Sequence, residues 1–265
     1  MRVKGTKRKY NRIIALCAVI ILICASYIIL VEVKNKKAKH VYADLQEYVS
    51  SEILQVTEAD TELETEVQDS CPIDFASLWE RNQDIVGWIR IPDTQVDYPI
   101  LQSAEDMDDD YYLDTTVDYA SGYPGAIYMQ QWNSSQFDDR NTILYGHNMK
   151  DGTMFGSLHN YENEGFLQLS PYIYVDTPSK ECVYQIFACV KYSDAYLPDL
   201  YDFTSGDRTM SFVESLYMNG DATDVVDKNV SVDSTDHILT LSTCTQDSDC
   251  RYLVVGVLCE EKDYK

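Results

Sequence analysis

The segment Thr240-Leu241-Ser242-Thr243-Cys244, near the carboxyl end, decides how this chain is interpreted. It completes a largely apolar run that begins at His237, a pattern that predicts a β-strand with a thiol at its end. A polar loop follows, and Arg251 then opens a second apolar run. Two antiparallel strands joined by this loop would place Cys244 beside Arg251, whose guanidinium could stabilise negative charge on a substrate oxygen. We therefore predict Cys244 as a nucleophile and Arg251 as its oxyanion partner.

A thiol with the ordinary pKa of about 8.5 needs a nearby base or cation to react at neutral pH. Of the four histidines, His147 follows a strand-like run and a tight Tyr145-Gly146 turn, as a catalytic imidazole would. The other three are assigned to a stem (His40), to the surface (His159) and to the far end of the cysteine strand (His237). We predict His147 as the acid and base. Because no histidine follows Cys244, a papain-like chain order is excluded.

Short apolar runs separated by turn residues predict eight strands. These are Val86–Ile91, Val96–Leu101, Ala126–Met129, Thr142–Tyr145, Tyr172–Val175, Cys182–Tyr192, His237–Thr243 and Tyr252–Leu258. Few helical patterns interrupt them, which favours a mostly antiparallel barrel or sandwich. Helical periodicity occurs at Phe75–Gln83, at Met154–His159 and near Met210–Met218. In the last of these, Phe212, Val213 and Leu216 would form one apolar face.

The amino-terminal end predicts a membrane anchor. Six basic residues and no acidic residue lie in 1–12, and Ile13–Val31 carries no charge. As a helix this run would be about 28 Å long, close to the hydrocarbon thickness of a bilayer. The positive-inside rule then predicts a cytoplasmic tail at 1–12, a membrane helix at 13–31, an acidic, partly helical stem at 32–72 and an extracellular catalytic domain at 73–265. A cleaved signal peptide is the alternative, disfavoured by the length of the run.

The charge of the remaining chain limits its partners. Residues 41–265 hold 11 basic and 43 acidic residues, a net charge of −32. Such a domain would be repelled by the phosphates of nucleic acid, so nucleic-acid binding is excluded. Six cysteines lie beyond the predicted span. We predict most of them as small buried hydrophobic residues. For Cys250 no role is assigned, with a redox partner of Cys244 as an alternative.

These motifs resemble those of class B sortases, the cysteine transpeptidases of Gram-positive bacteria. Thr240–Cys244 is similar to the family's TLxTC signature, with Arg251 as its arginine, and Asn141–Phe155 is similar to the class B histidine motif. The segments Gly87–Pro92 and Val96–Ile100 are similar to the first strands of that class. The resemblance covers residues 73–260. It implies a mostly β fold, an eight-stranded sortase-type barrel with an N-terminal helix and a helix before the cysteine strand, and neither a metal nor a cofactor.

The resemblance also implies a reaction. Cys244 would cleave a C-terminal sorting signal of a surface protein after Thr, and the thioester would pass to an amine of a peptidoglycan precursor or of a pilin. Ser242, Thr243 and Asn148 are expected to contact the substrate. Loops such as Ser193–Ser205 are expected to determine groove specificity. The short Cys-to-Arg loop departs from the family pattern and leaves the groove's shape open.

Other classes stay open at this point. A pilin-polymerising sortase would use the same residues on another acceptor. A cysteine hydrolase would transfer the acyl group to water, and an L,D-transpeptidase-like cell-wall enzyme shares the order His, Cys, Arg. A membrane-tethered binding domain without activity would leave Cys244 unreactive.

Overall fold

The computed structural model describes residues 3–59 and 70–265, and within the first helix it describes the side chains of residues 13–47 and 49. The described helices are α1 (Val3–Ala59), α2 (Phe75–Arg81), α3 (Glu164–Leu169), α4 (Leu197–Leu200) and α5 (Gly206–Met218). The strands are β1 (Ile85–Arg90), β2 (Asp97–Gln102), β3 (Ile127–Met129), β4 (Asn141–Tyr145), β5 (Tyr172–Asp176), β6 (Lys180–Ser193), β7 (Val225–Val226), β8 (Ile238–Cys244) and β9 (Cys250–Asp263). Two 3₁₀ helices lie at Tyr111–Leu113 and Gly156–Glu162.

Eight of these strands close into a barrel. Their order is β5-β1-β2-β3-β4-β8-β9-β6, and pairing of β5 with β6 completes the ring. The pairs β2–β3 and β4–β8 are parallel, and the other pairs in the ring are antiparallel. The two-residue β7 is added to the outer edge of β6. The prediction of an eight-stranded, mostly β barrel is confirmed.

Each of the eight predicted strands is present, with two differences from the predicted elements. Strand β9 runs on to Asp263, because its charged end pairs with the start of β6 although its side chains are exposed. The predicted helix at Met154–His159 is wrong at its start. Met154 has a φ of 53° and forms a bridge with Asn148. The helical segment begins at Gly156 and is a 3₁₀ helix.

Two apolar layers hold the fold together. The first fills the barrel, and the second lies between α5 and the outer face of strands β4, β6, β8 and β9. Helix α5 begins earlier than predicted, at Gly206, and buries Phe212, Val213 and Leu216 as predicted. Burial of each such side chain contributes about 1.5–3 kcal/mol. This second layer supports the outer face on which the cysteine strand ends.

Helix α1 is continuous, and its later part packs against the barrel. Leu45 and Val49 are buried there, and Tyr42 is buried with them. The Tyr42 hydroxyl donates to the Gly125 carbonyl at 2.6 Å and accepts from the Val117 amide at 3.2 Å. The prediction treated this stretch as a stem that spaces the domain from the membrane. The structure instead makes it part of the barrel's packing.

The earlier part of α1 is compatible with a single-pass anchor. The stretch Ile13–Glu47 contains a window apolar enough to cross a membrane, and none of that window is buried. The boundaries at 1–12, 13–31, 32–72 and 73–265 stay predictions. Residues 1–2 of the predicted tail and 60–69 of the predicted stem lie outside the described residues.

Replacing Tyr42 with Phe tests whether α1 stabilises the barrel. The substitution removes one hydroxyl and leaves the buried groups at Gly125 and Val117 without a partner, which should cost about 1–2 kcal/mol. Thermal unfolding of the detergent-solubilised full chain measures this loss. Tyr27→Phe is the matched control, because that side chain lies exposed on the same helix. Equal melting temperatures for the two variants would show that the docking contributes nothing.

Candidate active site

Strand register brings the predicted catalytic residues together. Cys244 ends β8 and is the direct partner of Arg251 in β9, so both side chains emerge on the same face. On the other side of β8 runs β4, in parallel, with Tyr145 beside Ser242. His147 follows two residues after β4 ends. Cys244, His147, Arg251 and Ser242 line one groove of about 290 Å³ on the outer face of the barrel.

Aromatic side chains and one loop form the walls of this groove. Tyr145 stacks on Tyr128 with ring centroids 5.5 Å apart. The Tyr196 hydroxyl donates to the Gln130 side chain at 2.9 Å. Tyr196 belongs to Ser193–Leu197, a segment that runs from the end of β6 to the start of α4 and lines the groove throughout. The loop predicted to determine groove specificity, Ser193–Ser205, therefore contributes its first residues to the wall.

The nucleophile is accessible and its neighbour offers a free hydroxyl. Cys244 is exposed, as a thiol that meets a peptide must be. Ser242 lies on the same face of β8, two residues before it, and is buried to 6% exposure. In the described part of the chain the Ser242 hydroxyl makes no side-chain hydrogen bond, although it lines the groove. It is free to meet a polar group of a bound peptide.

His147 is fixed by contacts with the segment that follows the first 3₁₀ helix. Its Nε2 donates to the Leu113 carbonyl at 2.9 Å, and the Asp114 carboxylate lies 3.9 Å from the same nitrogen. The Tyr123 ring covers the imidazole at a centroid distance of 4.5 Å. The carbonyl bond fixes the tautomer, because a carbonyl oxygen can only accept. Nδ1 is left as the nitrogen that can exchange a proton in the groove.

Arg251 has no acidic partner within the described part of the chain. Among the described residues, no carboxylate lies within 4.0 Å of its guanidinium. Its Nη1 donates to the Cys250 carbonyl at 3.4 Å, a long bond that leaves the remaining donors for other partners. A guanidinium that has unused donors and lines the same groove as the thiol is suited to stabilise an oxyanion.

Thr243 is nearly buried, at 2% exposure, and is also among the residues that line the groove. Its contact with substrate stays a prediction. Its hydroxyl donates to the Gly146 carbonyl at 2.8 Å. Gly146 leaves no room for a side chain, since an added Cβ would lie 2.5 Å from Ile127 Cδ1. Thr243 therefore holds the turn that carries His147.

Asn148, also predicted to contact substrate, is not among the residues that line the His147 groove, and its contact with substrate stays a prediction. Its side-chain amide donates to the Cys244 carbonyl at 2.9 Å. It lines a second, larger cleft of about 960 Å³ on the other side of Cys244. His159, predicted on the surface, also lines this cleft and lies 3.1 Å from the same carbonyl through Nε2.

Cys250 lies on the opposite face of β9 from Arg251, because neighbouring residues of a strand alternate in direction. It is a free thiol, as are all the cysteines in the described part of the chain. Desolvation and the Asp247 carboxylate raise the pKa of Cys250. It therefore faces a different environment from Cys244. The prediction that most of the six cysteines beyond the span are buried is wrong: only Cys182 and Cys189 are buried, Cys71 and Cys250 are half-buried, and Cys244 and Cys259 are exposed.

Sequence reasoning did not identify several groups around the site. The Leu113 carbonyl, the Tyr123 ring and the His159 imidazole reach it from segments without a motif. A main-chain carbonyl carries no signal in the residue types. His159 carried one weak signal, a carboxylate three residues later in a helical stretch.

Comparison with known proteins agrees with this geometry. The family model described as the sortase domain matches residues 89–259. The chain belongs to the sortase family. A curated relative, sortase B of Listeria monocytogenes, is 35% identical over 197 residues, which cover 72% of this chain and 73% of the relative. These matches support assignment to class B.

Solved structures support the same class. A Staphylococcus aureus sortase B–substrate complex has a TM-score of 0.69 and 26% identity, and covers 86% of this chain and 99% of that one. Sortase B from B. anthracis in complex with AAEK1 has a TM-score of 0.66 and 32% identity, with 85% and 97% covered. As a class B sortase, the protein is a cysteine transpeptidase of cell-wall anchoring.

Replacing Thr243 with Val tests the clamp on the His147 turn. Valine keeps the shape but leaves the buried Gly146 carbonyl unpaired, which should cost about 1–2 kcal/mol in the free energy of unfolding. A small displacement of His147 should also lower peptide turnover about tenfold. Urea unfolding and turnover are compared with Thr243→Ser, which keeps the hydroxyl. A valine variant as active as the serine variant would contradict this role.

The raised pKa of Cys250 predicts slow alkylation. A thiol with a raised pKa has less thiolate near pH 7.5, so iodoacetamide should modify Cys250 more slowly than a free cysteine peptide. Asp247→Asn should speed the reaction, because it removes the carboxylate that disfavours the thiolate. Peptide mapping by mass spectrometry measures the rate, with Asp106→Asn as an exposed control. No acceleration in Asp247→Asn would refute the electrostatic cause.

Proposed function

We propose that this sortase joins two substrates at the Cys244 thiol, a sorting-signal peptide of a surface protein and an amine acceptor. The observation that carries this proposal is the position of Cys244 between two depressions. The groove with His147 and Arg251 lies on one side, and the cleft of about 960 Å³ lies on the other. A transpeptidase needs this arrangement, since acyl donor and acceptor must approach the same sulfur in turn.

The first half-reaction acylates the enzyme. The Cys244 thiolate attacks the carbonyl carbon of the Thr in the sorting signal, and Arg251 stabilises the oxygen that becomes negative. As the C–N bond breaks, imidazolium at His147 gives its proton to the departing amine. A thioester on Cys244 and a shortened peptide result.

The second half-reaction transfers the acyl group. An amine of a peptidoglycan precursor enters from the larger cleft and attacks the thioester carbon. His147, now neutral, accepts the proton of the attacking amine, and Cys244 leaves as the thiolate. The cleft is lined by three carboxylates, of Glu162, Asp221 and Asp247, and by the ammonium groups of Lys150 and Lys191. Lys191 pairs with Asp247 at 3.4 Å, so the cleft carries a small excess of negative charge, which is compatible with an amine substrate.

The site also supports roles for the flanking groups. Ser242, with its free hydroxyl in the groove, is the best-placed of the predicted substrate contacts. Thr243 and Asn148 act on the positions of His147 and Cys244 rather than on the peptide. A pilin amine is the alternative acceptor, because a lysine ammonium has the same chemistry.

The proposed location is the outer face of the cell membrane. Six basic residues before the apolar run support a cytoplasmic amino terminus, and the catalytic domain then lies outside. In that location the enzyme meets surface proteins during export and membrane-bound wall precursors. Its net negative charge disfavours nucleic acid as a partner.

Incubation of the full chain with a panel of candidate sorting peptides and an amine, followed by mass spectrometry, tests the function. We expect cleavage after Thr and an amide product in which the amine replaces the leaving peptide. Cys244→Ala should abolish both products, whereas Cys259→Ala, at an exposed cysteine far along β9, should retain them.

The same experiment separates the other classes. A carboxylic acid as the sole product would indicate a hydrolase. No cleavage of any peptide, with Cys244 alkylated no faster than a free cysteine peptide, would indicate a binding domain. Cleavage by Cys244→Ala would refute the assignment of the nucleophile.

A further inference from the structure

We propose that His159 is a positioning residue for the nucleophile. Together with Glu162 and Asn148 it forms a chain of hydrogen bonds that ends on the Cys244 main-chain carbonyl. This inference rests on the proposed function, because it assigns the residue a part in the acylation of Cys244. None of the three side chains lines the groove that holds His147 and Arg251.

The network begins at a carboxylate. Glu162 Oε1 lies 2.7 Å from His159 Nδ1. A carboxylate can only accept, so the proton of the neutral imidazole lies on Nδ1 and Nε2 becomes an acceptor. A carboxylate in this position fixes both the tautomer and the direction of the ring, as it does for imidazoles in other active sites.

The network continues through an amide with two N–H groups. Asn148 Nδ2 lies 2.9 Å from His159 Nε2 and 2.9 Å from the Cys244 carbonyl oxygen. One N–H can therefore serve the imidazole while the other serves the carbonyl. His159 Nε2 itself lies 3.1 Å from that oxygen.

The imidazole has little freedom to leave this position. It stacks on the Tyr252 ring with centroids 4.8 Å apart and an angle of 22° between the planes. Tyr252 is the strand partner of Thr243 and is buried, so the ring rests on the barrel itself. The His159 side chain is 23% exposed, which leaves one edge towards the larger cleft.

The position of Cys244 explains why it needs such support. It is the last residue of β8, and a polar loop follows before β9 begins at Cys250. A strand end without further bonds would fray and change the direction of the thiol. Because Asn148 directly follows His147, the network also ties the nucleophile to the segment that carries its acid and base. We infer that it fixes the separation of Cys244 and His147.

His159→Ala tests the proposal, because a positioning residue should affect kcat and leave KM nearly unchanged. Loss of the network should lower kcat for peptide cleavage about tenfold, because small misplacements of reacting groups are costly, while KM stays within about twofold. His159→Gln should restore most of kcat, since a glutamine amide can both donate and accept near the Nε2 position. Asn148→Ala should lower kcat to a similar extent.

A second measurement does not depend on the substrate. Iodoacetamide should alkylate Cys244 about threefold more slowly in His159→Ala, because a displaced strand end no longer holds the thiol in its exposed position. If the wild-type chain cleaves no peptide, the proposed function fails, and this rate still tests the network by itself.

The matched control is His237→Ala, at the histidine that precedes the other end of β8. It should leave kcat and alkylation within about twofold of the wild type. Unchanged kcat and alkylation in His159→Ala would overturn the proposal. The proposal would also be overturned if His159→Gln did not restore kcat and if the loss of kcat in each variant matched its loss of melting temperature. That result would indicate a structural role for His159.

Discussion

The parallel pairing of β4 with β8 is the constraint on which the active site depends. It places the end of the histidine strand beside the end of the cysteine strand, although the two are nearly a hundred residues apart in sequence. Hydrogen bonds extend the pairing beyond the last residues of the two strands. The Gly146 amide donates to the Ser242 carbonyl at 3.2 Å, Thr243 holds the Gly146 carbonyl, and Asn148 holds the Cys244 carbonyl. Both neighbours of His147 are thus bonded to the cysteine strand, so the catalytic geometry follows from backbone pairing rather than from side-chain contact alone.

The two apolar layers have different parts in this arrangement. The barrel interior determines which strands are neighbours, because each strand contributes alternate side chains to it. The outer layer under α5 gives the cysteine face a rigid support, with Leu253 and Val255 of β9 buried in it. The groove begins where that layer ends. Beyond the edge of this layer the side chains of the same strands become accessible. Ser242, nearer the layer, is therefore nearly buried, and Cys244, at the strand end, is exposed.

The sequence was informative where structure is local. Strand alternation, the polar loop and the cation after it sufficed to place Cys244 opposite Arg251, because a hairpin pairs residues close in the chain. The sequence was uninformative where residues that are distant along the chain meet in the fold. Nothing in a local pattern brings Asn148 to the Cys244 carbonyl, 96 residues away.

At Met154 a local pattern was misleading. Its apolar side chain fitted a helical pattern and so predicted a helix, but tertiary packing holds its backbone at positive φ. Tyr42 and Leu45 have helical spacing, but the surface that receives them is assembled from remote segments.

Closure of the barrel by β5 and β6 restricts how a peptide can be recognised. Many proteins bind extended peptides by adding them as a further strand to a free sheet edge, where main-chain hydrogen bonds supply affinity whatever the sequence. Around Cys244 no such edge is offered within the described chain, since β4, β8 and β9 each have a strand on both sides. Strand addition beside Cys244 is therefore not available to a peptide, and the groove offers it the tyrosines and the loop that form its walls. Selectivity of this kind can change through a few loop residues without disturbing the barrel.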